Sequence, residues 1–384
     1  MAEPLKNMLN QDVVHDMAAH FELHHKHLDT HAFIATATNG LELLELKART
    51  EHITQAMISH FPANFAEAGE ILLASLAGVQ GDKSNLLEDE SNGTDEEEGE
   101  GISGWAVMAL SNYVALQGHG HFDLSMRLLK AMTKRESSEF AIRFFILQSP
   151  QKTLAMFTHW VRDPNQDVRR LVSEGSRPRL PWAMHLPMFI KDPAPVIALL
   201  EQLKDDEAQY VRRSVANNLN DIAKDHPELV ADIAQRWLQG ASLNRQRLVR
   251  HACRTLIKNG HKKTLAILGF GPPLIQSTTL SVLTLRVVFG EALEFSLSLE
   301  SNAAQTQALM IDYIVHHQKA SGKTTAKVFK WRSTSVLPGK TLTLEKKHRI
   351  KKITTRVYYA GLHSLEVMVN GVSVGRADFQ LIMP

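Results

Sequence analysis

The chain has 384 residues, 44% of them hydrophobic and 22% charged, with a formal net charge of +2. That is globular material with apolar residues enough for two or three domains. The single cysteine, Cys253, excludes an intramolecular disulfide framework and any multi-cysteine metal centre. No run reaches the roughly 18 apolar residues of a membrane span, and MAEPLKNMLNQDVVHD is not a signal pattern, so a cytoplasmic, soluble protein is expected, and the lone cysteine and lack of a long heptad pattern favour a monomer.

Residues 1–81 read as an N-terminal helical bundle. In NGLELLELKARTEHITQAMISHFP, Leu41, Leu44, Ala48 and Ile53 fall near helical spacing, with Asn39 as cap and Pro62 beyond the end. Upstream, in HFELHHKHLDTH, His20/His24 and His27/His31 are each four apart, the spacing for two imidazoles on one helix face. No third ligand and no HExxH accompanies them, so no metal is expected. Residues 82–100 hold nine acids against one lysine and read as a disordered acidic loop, which leaves the rest of the chain at +10.

From 101 to 320 the pattern reads as helical repeats. An apolar helix, an acidic turn and a helix opening Val-Arg-Arg occur twice, with Val168 and Val211 43 residues apart and a weaker third copy at Val249. Periods of roughly 40 to 47 residues are those of HEAT-type helix pairs. Val211, Val215, Leu219 and Ile222 form one buried stripe, as do Val168, Leu171 and Val172. That phase leaves Arg169, Arg170, Glu174, Arg212, Arg213, Asn217, Asn220 and Lys224 outside the stripe. Stacked repeats would turn these arginines into a phosphate-binding ladder, or they are plain solvated faces; spacing leaves both open. After GFGPP, 275–299 and 303–319 read as two closing helices.

Residues 322–384 change character. Leu365, Val367 and Val369 alternate with period two, and Asn370-Gly371 is a hairpin signal. Residues 323–384 also hold twelve Lys and Arg against three acids. The expected fold is therefore mainly α: an α-solenoid of HEAT-like repeats with an N-terminal helical bundle. A small, abbreviated immunoglobulin-like β-sandwich of five or six strands would end it.

EFAIRFF, WVRDPNQDVRRLVSEGSRPRLPW, VRRSVANNLNDIAKDHPELV and TTRVYYAGLHSLEVMVNG together resemble the AlkC branch of the bacterial DNA alkylation-repair glycosylases, relatives of AlkD. The resemblance covers essentially the whole chain. One departure is Phe144, where the pattern has proline after EFAIR. The resemblance implies excision of N3-methylated bases, chiefly 3-methyladenine and with 3-methylcytosine open, from double-stranded DNA without base flipping.

The base in such a lesion is cationic and already a good leaving group. The enzyme then needs negative charge or electron-rich rings near the developing sugar cation, and a carboxylate to orient water. The candidate groups are Glu139, Glu174, Asp221, Trp160 and Trp182, with Asp163 beside them. Glu139, read as early in a helix and out of phase with Phe140 and Phe144, comes first; its alternative is a helix-start carboxylate on the dipole. Glu174 is either catalytic or paired with Arg177 or Arg179. The tryptophans face the lesion or belong to the core, and Asp221 lines the DNA or caps a turn.

For DNA contact the candidates are Arg169, Arg170, Arg177, Arg179, Arg212, Arg213, Asn217 and Lys224. The tail adds Lys346, Lys347, Arg349, Lys351, Lys352 and Arg356, read as an edge-loop patch, with His348 a further cation when charged. Helices and sandwich are expected to encircle and bend the duplex. No nucleotide loop, dinucleotide fingerprint or GxSxG elbow is present, so no cofactor is implied. A HEAT-type protein-binding scaffold and a non-catalytic damage binder stand as alternatives.

Overall fold

The computed structural model describes residues 4–78 and 100–383. All of the predicted acidic loop except Glu100 lies outside them. The chain divides into two compact units between Asp225 and His226. The first is helical: α1 (Gln11–His24), α2 (Thr30–Thr38), α3 (Leu46–His60), α4 (Phe65–Ala74), α5 (Val107–Gln117), α6 (Phe122–Thr133), α7 (Ile142–Gln148), α8 (Pro150–Trp160), α9 (Gln166–Gly175), α10 (Pro187–Lys191), α11 (Ala194–Leu203) and α12 (Gln209–Ile222). None of the described helices is long and apolar enough to cross a membrane.

Capping explains several of the starts. Asn10, Asp29, Asn64 and Asn165 each accept a hydrogen bond from a backbone N–H one turn in, and Pro150 and Pro187 open α8 and α10. Two N-terminal expectations need correction. Asn39 follows α2 rather than capping α3, because Gly40 at φ 72° turns the chain and α3 starts only at Leu46. His27 and His31 do not share a helix, since α1 ends at His24 and Asp29 caps a new one. Among the described residues no three His, Cys, Asp or Glu side chains are arranged to hold a metal ion.

The two copies of the repeated pattern are the helix pairs α8–α9 and α11–α12, and the two second helices pack on each other. Their apolar stripes are buried as the phase requires: Val168, Leu171 and Val172 on α9, and Val211, Val215, Leu219 and Ile222 on α12. Each such side chain contributes about 1.5–3 kcal/mol of hydrophobic stabilisation. The opposite face is not free, however. Arg169, Glu174, Asn218, Asn220 and Asp221 are also buried, because a neighbouring helix covers that side as well.

The second unit comprises α13 (Pro227–Leu238), α14 (Leu243–Ala252), α15 (Arg254–Lys258) and α16 (Lys262–Ile267), followed by a β-sandwich. Its strands are β1 (Ile275–Val282), β2 (Arg286–Val288), β3 (Ala292–Ser301), β4 (Gln307–Gln318), β5 (Thr324–Val336), β6 (Thr341–Arg349), β7 (Gly361–Val369) and β8 (Val372–Ile382). One sheet has the order β1-β3-β6 and the other β2-β8-β7-β4-β5, antiparallel except for the β2–β8 pair. Phe295, Leu297, Ile311, Tyr313, Leu365, Val367 and Phe379 fill the space between them.

The helices expected over 275–299 and 303–319 are therefore strands, and the β region begins at Ile275 instead of 322. The sandwich is full-sized, with eight strands. ALEFSLSLES alternates strictly, and every second residue of β3 is buried, a period that a helix cannot use. The Asn370-Gly371 hairpin forms with both residues at positive φ, 47° and 75°. The Asn370 side chain donates to Gly271 O and Ala308 O and accepts from Met310 N. Gly371 packs against Gly260 in the α15–α16 turn so closely that a Cβ on Gly371 would lie 2.7 Å from the Gly260 oxygen.

Candidate functional site

The first unit contains a cavity of about 360 Å³ lined in part by Trp105, Glu136, Glu139, Arg170, Glu174, Arg177, Trp182 and Tyr210. Its floor is charged. The Arg170 Nη1 donates to Glu139 Oε2 at 2.6 Å, and its Nη2 lies 3.8 Å from Glu174 Oε1, so one guanidinium spans both carboxylates. Ser137 Oγ also donates to Glu139 Oε2 at 2.8 Å. Glu174 Oε1 accepts from Arg177 at 2.5 Å and its Oε2 from Ser214 at 2.6 Å. Arg177 Nε in turn reaches Asp221 Oδ2 at 2.8 Å.

Burial by itself would lower the Arg170 and Arg177 guanidiniums, but the facing carboxylates outweigh it and hold both above their usual values. The face of Tyr210 sits 4.9 Å from the Arg170 guanidinium carbon. The lining holds three glutamates, Glu136, Glu139 and Glu174, and two arginines, Arg170 and Arg177, so these side chains sum to one formal negative charge. At the rim stands Trp182, 62% exposed, with its φ at 65°. Lys47 donates to its carbonyl oxygen. A half-buried anionic wall beside an exposed indole suits a cation, or a transition state that develops positive charge.

A family model described as "Uncharacterised protein YhaZ, C-terminal Ig-like domain" matches residues 276–383. Over 379 residues the chain is 34% identical to "Uncharacterized protein YhaZ" of Bacillus subtilis (strain 168), covering 98% of this chain and 99% of that protein. Among solved structures it is similar to the Pseudomonas fluorescens alkylpurine DNA glycosylase AlkC bound to DNA containing an abasic site analog. That similarity has 34% identity, a TM-score of 0.84, and covers 99% of this chain and 100% of the other. The chain belongs to the AlkC/YhaZ family.

In this AlkC/YhaZ member the cavity brings together Glu139, Glu174 and Trp182 and leaves out Trp160, Asp163 and Asp221. Trp160 ends α8 as a core residue, packed 5.8 Å from the Phe157 ring. Asp163 forms the turn before α9: its Oδ1 accepts from Asn165 N, and Lys130 pairs with its Oδ2. Asp221 is fully buried behind Arg177, with its other oxygen on Lys224. Glu139 itself sits in the turn before α7, not within a helix, and the residue buried below it is Arg143 rather than Phe140 or Phe144.

The arginine ladder is largely internal. Arg169 makes a two-pronged pair with Asp206 at 2.6 and 2.9 Å, and it also donates to the carbonyls of Asp163 and Pro164. Arg212 repeats the second move on the carbonyls of Asp206 and Glu207. The first arginine of each Val-Arg-Arg thus folds back on the turn that precedes its own helix. Arg170 and Arg177 belong to the cavity, Arg179 pairs with Asp225, and Lys224 pairs with Asp221. Asn217 is half-buried and Arg213 is exposed on α12.

On the sandwich, Lys346, Lys347 and Arg349 lie on the edge strand β6 and not in a loop, while Lys351, Lys352 and Arg356 follow it. Lys347 pairs with Glu294. His348 is turned inward to the Tyr313 hydroxyl at 2.9 Å, and burial, with Lys346 and Arg356 nearby, pushes its imidazole down, so it adds no charge to the patch. Tyr210, Trp105, Glu136 and Ser214 escaped the sequence reading. The signal for Tyr210 was its place directly before a Val-Arg-Arg, where a large ring beside the repeat's arginine pair invites stacking.

Proposed function

We propose that the protein is a DNA glycosylase that excises cationic N3-alkylated bases from duplex DNA, 3-methyladenine first and 3-methylcytosine as a second substrate to be tried. The observation that carries this reading is the cavity wall on which Arg170 spans Glu139 and Glu174 beneath an exposed Trp182. Its setting is a chain similar over its whole length to a DNA-bound alkylpurine glycosylase.

The chemistry follows from charge. The C1′–N bond of a cationic base breaks without protonation, so the wall has to stabilise the sugar as it gains oxocarbenium character. Glu139 and Glu174 supply negative potential, Trp182 presents a π-face to the sugar, and Glu139 orients the attacking water. Such preorganised groups are worth about 3 kcal/mol each. Pockets that receive a flipped base stack it between apolar or aromatic side chains. Here the floor is ionic, which favours a lesion approached within the helix. The exposed Lys351 and Lys352 after β6 and Arg213 on α12, with the half-buried Lys346 and Arg356, are the proposed phosphate contacts.

The test is release of free methylated base from methylated duplex, comparing wild type with Glu139→Gln and Glu174→Gln and measuring DNA affinity in parallel. Loss of about 100-fold in rate with affinity held within about threefold is the expected result for Glu139→Gln. No release with affinity retained makes the protein a damage binder, and loss of both in wild type makes it a scaffold. Either outcome overturns the proposal.

A further inference from the structure

The connection from 176 to 186, between α9 and α10, carries Arg177 and Trp182 to the cavity yet forms no helix or strand of its own. It is held from below by Arg143 on α7, whose side chain is completely buried. The Nε and Nη2 donate to Met184 O at 2.9 and 2.5 Å. The Nη1 donates to Gly175 O at 2.9 Å and to Arg177 O at 2.8 Å. All four bonds end on main-chain carbonyls, and those carbonyls bracket Trp182 on both sides.

Gly175 makes this reach possible. A Cβ there would sit 2.5 Å from Ile142 Cγ2, so the last turn of α9 lies directly on the first of α7. Burial and the Arg177 charge lower the Arg143 guanidinium to about 10, with Asp221, Glu139 and Glu174 opposing, and it remains charged at neutral pH. A buried charge is a costly way to fill space, since an apolar side chain of similar volume fills it without desolvation. The charge has a use that an apolar group lacks: it gathers three carbonyls of an otherwise irregular segment.

We infer that Arg143 is the positioning residue of the cavity, fixing the 176–186 connection so that Trp182 stands at the rim above Glu139, which lies four residues before Arg143 in the chain. The kinetic consequence rests on the glycosylase reading above; the structural one does not.

A double-mutant cycle between Arg143→Met and Trp182→Ala, read as single-turnover base release at saturating enzyme, tests it. Arg143→Met is expected to slow excision about 30-fold in the wild-type background and less than about threefold in the Trp182→Ala background. DNA affinity is expected to change by less than about threefold throughout, and Arg143→Lys to restore part of the rate. Equal slowing in both backgrounds overturns the inference, as does a rate loss matched by lost affinity. Should Arg143→Met not fold, Arg143→Lys carries the same cycle.

A second readout needs no reaction. The Trp182 emission, taken as the difference from Trp182→Phe, is expected to become more accessible to acrylamide in Arg143→Lys; unchanged quenching overturns the inference. If wild type releases no base, the glycosylase reading fails while the quenching comparison still decides the role of Arg143.

Discussion

The helical unit and the β-sandwich both carry many cations, and they use them in opposite ways. On α9 and in the connection that follows it the arginines are folded inward: Arg169 onto Asp206, Arg170 onto Glu139, Arg177 onto Glu174 and Asp221. On and after β6 Lys347, Lys351 and Lys352 are exposed, while Lys346 is half-buried on the strand face it shares with Leu344. A cation near a repeat turn is thus part of the architecture, whereas a cation beside a sheet edge is available to a ligand. An edge strand also gains from this charge, because lysines along an open edge discourage pairing with another chain.

The largest expected effect strikes the inward set. Arg169→Ala removes the guanidinium that faces the buried Asp206 carboxylate, leaving that charge only the Ala208 N–H, and frees two carbonyls, so it should cost about 3–5 kcal/mol of stability while the salt dependence of DNA binding stays unchanged. Urea unfolding and affinity titrations at several salt concentrations check both halves. If the stability cost were under about 1 kcal/mol, the inward arginines would be no more structural than a surface pair.

Next comes the outward set. Replacing Lys351 and Lys352 together by Gln should leave the unfolding midpoint in place. It should lower the slope of log affinity against log salt by up to about 1.8, since each lost phosphate contact removes about 0.9. An unchanged slope would remove the sandwich from the DNA interface. Truncating the chain at 322 is not an equivalent experiment, because that cut falls between β4 and β5 and destroys both sheets.

The smallest effect concerns groups inside the sandwich. Burial, with Arg356 and His363 adding to it, pushes the His317 imidazole down to about 3. Below its unfolded pKa near 6.5 the unfolded chain takes up a proton that the folded sandwich refuses, so this stability is complete above pH 6.5 and falls as pH drops toward 3. Asp312 acts in the other direction: burial raises it to about 6, so it protonates in the folded state first and offsets part of the loss. Between pH 7 and 5 the wild type should lose about 1–2 kcal/mol more than His317→Gln. Denaturation midpoints at the two pH values measure the difference.

The sequence revealed the stripes and missed what covered their far side. Val211, Val215, Leu219 and Ile222 announce a buried face by spacing alone. Asn218, Asn220 and Asp221 are just as buried, because α9 lies against α12 there, and helical phase describes one helix at a time. Glu139 and Glu174 were legible as acids beside basic repeat helices. Arg143 was not, since its partners are carbonyls 32 to 41 residues away and carbonyls leave no mark in a sequence. The early strands were lost for another reason: β1 and β3 directly follow a long helical array, and their alternation was read through as more of the same. The Asn370-Gly371 turn was legible because two adjacent residues encode it.

That hairpin has a mechanical consequence. Gly371 meets Gly260 backbone to backbone, and Asn370 bonds to Gly271 and Ala308 on either side of the junction. The sandwich is therefore bolted to α15 and α16, with no slack linker between them. The joint has no room for a side chain: a methyl group at position 371 would lie 2.7 Å from the Gly260 oxygen, so one of the two backbones would have to move.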